Sequence, residues 1–181
     1  MGADQLLLEK IMGYAAEEGI TGKSLREIAA GVGTSHRMLL YHFGSREGLM
    51  AAIVAAMEQR QRALLTSLSE RATGPAELAL AQWRELSSPE VRPFVRLFFE
   101  VLGLAVQGAP GTEELLRNLT EPWLAGDYSY KVDRRALRVG VAVSRGLLLD
   151  LVAGADPEEV TAAYEMFVKI FDDWVSSADV A

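Results

Sequence analysis

The chain has 181 residues, half of them hydrophobic, with no cysteine, two histidines and a formal net charge of −7. That length suits one or two compact helical domains, and the missing cysteine excludes disulfide and thiolate chemistry. No apolar run approaches a membrane span and Met1–Lys10 carries no signal-peptide pattern, so a cytoplasmic protein without membrane contact is expected. The charge is uneven. Residues 150–181 hold eight acidic groups and one basic group, which leaves the rest of the chain neutral overall. Any binding to nucleic acid must then rest on a local cationic patch and not on steering by the whole molecule.

In chain order, a first helix is expected from about Asp4 to Glu18, stopping at Gly19. Residues 24–49, SLREIAAGVGTSHRMLLYHFGSREGL, read as helix, tight turn, second helix and the start of a third. Ser24 and Glu27 have the spacing of a capping box. Leu25, Ile28 and Ala29 give a short apolar face at helical spacing. Gly31-Val32-Gly33 supplies a turn, and Thr34 or Ser35 caps the next helix. That helix carries His36, Arg37, Met38, Tyr41 and His42, anchored by Leu39 and Phe43. No acidic residue lies between Ala29 and Arg46. A short helix-turn-helix with an acid-free, cationic second helix is what reading a major groove requires. Ser24 and Ser35 are caps first, and Met38 either touches a thymine methyl or simply packs. No carboxylate or thiolate near His36 or His42 orients them for catalysis, so no catalytic residue, metal site or cofactor is expected.

The remainder reads as helices punctuated by glycine and proline. A fourth helix is expected from Ser45 to about Ala72, a fifth over Pro75–Leu86, and a sixth from Ser88-Pro89-Glu90 with Pro93 as a kink. A seventh follows Thr112 and reaches Trp123, and Leu124–Lys131 reads as loop. An eighth covers Asp133–Ala153, and a ninth begins at Asp156-Pro157-Glu158-Glu159 and ends near Val175. Leu137, Val141, Leu148 and Leu151 form one stripe on the eighth helix, and Val139, Val143, Leu147 and Val152 a second apolar surface. A helix apolar on more than one side is buried on more than one side. The expected fold is therefore all-α, with about nine helices: an N-terminal three-helix unit at 1–47 and a helical bundle at 48–181.

The N-terminal stretch resembles the DNA-binding domain of TetR-type (tetracycline-repressor-like) transcriptional regulators. The resemblance is carried by Leu7-Leu8, Ala16–Ile20, Ser24–Ala29, Gly33-Thr34-Ser35, Leu39, Tyr41-His42-Phe43, Gly44–Glu47 and Leu49. It covers about the first quarter of the chain. Leu40 stands where that family usually has an aromatic, and Ala15 where it has a large aromatic near the end of the first helix. Tyr41 and Tyr14 are the substitutes at hand.

The resemblance implies a homodimer that binds double-stranded DNA at a palindromic operator, a repressor released by a small apolar or aromatic effector. Ser24, Arg26, Thr34, Ser35, His36, Arg37, Met38, Tyr41, His42 and Arg46 are the expected DNA-contacting residues. Trp83, Phe94, Phe98, Leu102, Trp123 and Tyr128 are the expected effector lining, although each alone also reads as plain core. Leu137, Val141, Ser144, Leu148 and Leu151, with Val160, Tyr164, Phe167, Phe171 and Trp174, are the expected dimer seam. The rival reading is a helical ligand-binding or scaffold dimer that does not bind DNA.

Overall fold

The computed structural model describes residues 3–20, 22–126 and 132–178, and all regular structure within them is helical. The elements are α1 (Ala3–Glu18), α2 (Leu25–Gly31), α3 (His36–Phe43), α4 (Arg46–Ser69), α5 (Pro75–Leu86), α6 (Arg92–Val106), α7 (Glu113–Arg117), α8 (Glu121–Leu124), α9 (Arg134–Ala153) and α10 (Pro157–Ala178). No helix among the described residues is long and apolar enough to cross a membrane.

The all-α expectation holds, with corrections in the middle of the chain. One helix was expected from Thr112 to Trp123, and two short ones form there. Thr112 turns its hydroxyl back onto the Ala109 carbonyl, at 2.6 Å. Pro122 sits in the first turn of α8, where its missing N–H costs nothing, so the proline starts a new helix. Pro93 likewise is the second residue of α6 and kinks nothing. The other caps behave as the sequence suggests. Asp133 accepts the Arg135 amide at 2.6 Å to start α9, and Asp156 accepts the Glu158 amide at 3.0 Å to start α10.

The chain divides into two compact units, one made of residues 1–58 and 96–117, the other of 59–95 and 118–181. In the first unit α2 packs on α3, over a core that includes Ile11, Ile28, Leu39, Leu49 and Ile53, each 0 % exposed. The α6–α7 turn belongs to this unit too. A Cβ on Gly111 would lie 3.1 Å from the Cα of Gly48, in the first turn of α4, so the two backbones meet glycine to glycine.

In the second unit α10 packs on α9 and α5, and α8 packs on α9. Trp83 of α5 is buried, stacked on Tyr164 of α10 at 4.3 Å between centroids, and its indole N–H donates to Thr161 at 3.3 Å. A second cluster joins Leu65, Leu78 and Trp123, with Leu68, Ala72 and Val141 against it. Outside these clusters, Glu121 binds both Arg134 and Arg138, and Arg145 donates to the Leu119 carbonyl at 2.6 Å, tying α8 and its lead-in to α9.

Candidate nucleic-acid interface

The capping box forms in full. The Ser24 hydroxyl accepts the Glu27 amide at 3.3 Å, and the Glu27 carboxylate accepts the Ser24 amide at 2.8 Å. The Ser24 hydroxyl also donates to that carboxylate at 2.7 Å. These bonds, the hydroxyl's first, hold the Glu27 carboxyl below the usual range. The turn closes when the Thr34 amide donates to the Ala29 carbonyl at 2.9 Å, with Gly33 at φ +68°. Only the left-handed backbone that glycine tolerates lets the chain reverse within so few residues. Ser35 then caps α3, accepting the Met38 amide at 3.2 Å.

Leu39 fixes the rotation of α3. It is 0 % exposed, and His36, His42 and Phe43 beside it are half-buried. At about 100° per residue the opposite face centres between Arg37 and Tyr41, one turn apart, with Met38 and Leu40 on its flanks. All four are exposed, Tyr41 the most at 80 %. Arg26 on α2 and the cap Ser35 are exposed as well, and Thr34 is half-buried.

Arg46 is engaged within the protomer. Its Nε donates to the Lys23 carbonyl at 2.9 Å, and its terminal nitrogen lies 3.7 Å from the Glu100 carboxylate on α6. Its side chain is 25 % exposed. The residue braces the loop before α2 against α4 and α6, and a phosphate would have to compete with those partners. Nearby, Lys23 donates to the Tyr14 hydroxyl at 2.8 Å with its ammonium 4.4 Å above the ring. Tyr14 lies against the end of α2, where a Cβ on Gly31 would strike its ring. Tyr14 thus packs where α2 ends, and Ala15 is buried. Leu40, left out of the expected contact set, turns out to share the exposed face.

The expected effector lining is divided between the units. Trp83, Phe94 and Trp123 belong to the second unit, whereas Phe98 and Leu102 belong to the first. Trp83 is taken up by its stack and its hydrogen bond, and Trp123 by the leucine cluster, with the Arg62 guanidinium 5.7 Å above its ring. Phe94, Phe98 and Leu102 are half-buried, and Phe98 meets Phe99 edge to face at 5.1 Å. Tyr128 lies outside the described residues. No pattern in the chain singles out Gln61, on α4 one turn before Leu65. Its Oε1 is buried with no hydrogen-bond partner among the described residues, and so is Nε of Arg92. A polar atom left that way costs about 1–3 kcal/mol.

The residues expected at the dimer seam are largely covered within the protomer itself. Leu148, Leu151, Val160, Tyr164 and Phe171 are buried inside the protomer, each at most 7 % exposed. Leu137, Val141, Ser144 and Phe167 are half-buried beside them, and Trp174's side chain lies outside the described residues. Tyr164 is the stacking partner of Trp83, and burial pushes its phenol pKa upward while the Ser144 hydroxyl, 3.5 Å away, acts the other way. Among the described residues of α9 and α10, the large apolar side chains left exposed are Val139, Leu149, Met166 and Ile170. A helix apolar on two sides does not announce which side its own protomer takes.

Residues 7–53 match the family model described as bacterial regulatory proteins, tetR family. No curated protein matches the chain. Among solved structures, the chain is similar to a transcriptional regulator from Rhodococcus sp. Rha1, at 19 % identity and a TM-score of 0.71, covering 94 % of this chain and 96 % of that one. It is similar to a TetR-family transcriptional regulator from Pectobacterium atrosepticum, at 17 % identity and a TM-score of 0.68, with 95 % and 93 % covered. It is also similar to the multidrug binding protein EbrR complexed with imidazole, at 22 % identity and a TM-score of 0.62, with 91 % and 88 % covered. At these identities the likeness is one of fold.

Proposed function

We infer, from an N-terminal segment that belongs to the TetR family and a fold shared with that family's regulators, that this protein is a DNA-binding transcriptional regulator acting as a homodimer on a palindromic operator. The observation that carries the reading is the outward face of α3: Arg37 at its centre, no acidic residue on the helix, and Leu39 locking it in place. Exposed cationic and hydrogen-bonding side chains on a short, rigidly seated helix suit base edges in a major groove. The scaffold reading has no comparable observation in its favour.

Two copies are required to span two half-sites, and the exposed apolar side chains Val139 and Leu149 of α9 and Met166 and Ile170 of α10 are suited to pairing them. The regulator is a repressor that a small apolar or aromatic effector releases. One feature of the second unit supports such a ligand: the buried, unpartnered carbonyl oxygen of Gln61, which would accept a hydrogen bond from a donor on the ligand. The structural relative that binds multiple drugs is consistent with this chemistry.

The test is selection of duplexes from a random pool by the full-length protein, followed by titration across salt. A palindromic consensus should emerge, and its affinity should fall steeply with salt as phosphate counterions are released. Arg37→Ala should cost about 1–3 kcal/mol on that consensus and much less on random duplex. If it weakens both equally, Arg37 is a phosphate contact and not a base reader.

A further inference from the structure

On the eight-residue helix α3, four side chains are exposed, and three of them are largely apolar: Met38 at 42 %, Leu40 at 39 % and Tyr41 at 80 %. Single exposed apolar side chains are ordinary, but three within two turns of one helix form a patch that water disfavours. The helix does not need them to fold, since Leu39 already anchors it at 0 % exposure. The patch surrounds Arg37, and no carboxylate lies anywhere from Ala30 to Ser45. An occupant must therefore be anionic at its rim and apolar at defined points within.

A DNA major groove meets that description. Its walls are phosphate, and its floor offers hydrogen-bonding groups with one apolar exception, the C5-methyl of thymine. We propose that Met38 and Leu40 read thymine methyl groups on either side of the base pair that Arg37 faces, so that each operator half-site carries thymines at two fixed positions. The assignment rests on the DNA-binding reading above and adds the chemistry of what is read. It follows from placement. Arg37 lies near the centre of the outward face, with Met38 and Leu40 to its two sides and roughly 3 Å apart along the helix axis. Each methyl moved from water into such a contact is worth about a fourfold change in affinity.

The test uses the full-length protein and the duplex it selects from a random pool. Each thymine is replaced in turn by deoxyuridine, which removes the methyl and leaves pairing unchanged. Binding should weaken about fourfold at two thymines of each half-site and stay unchanged at the others. Leu40→Ala should abolish the uracil effect at one of these positions and Met38→Ala at the other. The uracil series on the unsubstituted protein needs no variant, so it decides the matter even if one variant folds poorly. Uracil tolerated at every position would overturn the proposal, as would both variants keeping full sensitivity. Selection of no duplex at all would overturn the DNA-binding reading and this proposal with it. A selected duplex without methyl sensitivity would overturn this proposal alone, and would leave the apolar flanks of α3 to a protein partner.

Discussion

Arg46 shows how one side chain's partners decide its work. Its hydrogen bond to the Lys23 carbonyl is charge-assisted, and its pairing with Glu100 is partly solvated. The first is worth about 1.5–3 kcal/mol and the second less than about 1. Arg46→Ala should therefore lower thermal stability by about 1–3 kcal/mol, read by melting of the free protein. Arg46→Lys should not restore it, because an ammonium has no Nε in that position. A variant that melts like the wild type yet loses DNA affinity would make Arg46 a phosphate contact and not a brace. Asp133 offers a pH-dependent case. The Arg135 side chain and amide pull its carboxyl from an ordinary 3.8 down to about 2. A depressed carboxyl stabilises the fold above its unfolded value and loses that contribution as pH falls through its folded value. Asp133→Asn keeps a cap acceptor and removes the charge. Its deficit in melting temperature should be present at neutral pH and should close as the pH falls from about 4 to about 2. A deficit that persists unchanged at the acid end would mean the charge has no part in it.

At the scale of elements, α9 and α10 make the sharpest prediction. Leu148 is buried within the protomer, while Leu149, its neighbour in sequence, is 47 % exposed. Leu149→Glu or Met166→Glu should give a folded monomer by sedimentation with unchanged far-ultraviolet dichroism. Leu148→Ala should instead lower stability by about 2–5 kcal/mol while the protein stays dimeric. A dimer that survives both glutamates would place the seam elsewhere. The contrast also explains what was legible in the sequence. The α2–turn–α3 unit could be read because its determinants are local: Ser24 with Glu27, Gly33, Ser35 and the buried Leu39 lie within one another's reach along the chain. The register of α9 could not, because its two apolar stripes differ only in which tertiary neighbour each meets. In the first, Val141 meets Trp123 and Leu148 and Leu151 are buried; in the second only Val139 is exposed, and nothing in the spacing separates the two. The break between α7 and α8 was signalled by Thr120-Glu121-Pro122, a start signal that lies within a run of otherwise helical residues.

At the scale of the whole molecule, the expected boundary at 47/48 and the observed grouping differ in what accompanies α1–α3. Residues 96–117 share a unit with residues 1–58, joined by the Arg46–Glu100 pairing and the Gly48–Gly111 approach. These contacts link two segments far apart in sequence, so no local pattern encodes them. Ligand release of DNA requires only that the effector prefer one arrangement of the molecule over the other. Binding of an apolar effector should raise the melting temperature of the free protein and weaken operator affinity, and Gln61→Leu should weaken donor-bearing ligands more than pure hydrocarbons. Equal loss for both ligand types would remove Gln61 from the site.

Whether the exposed face of α3 reads DNA is decided by affinity for a selected palindromic duplex against random duplex across a salt series, for the wild type and Arg37→Ala. A DNA-reading face gives tight, salt-dependent binding of the wild type to the palindrome, and collapse of the preference in the variant with random-duplex affinity nearly unchanged. No preference for any duplex by the folded wild-type protein would contradict it.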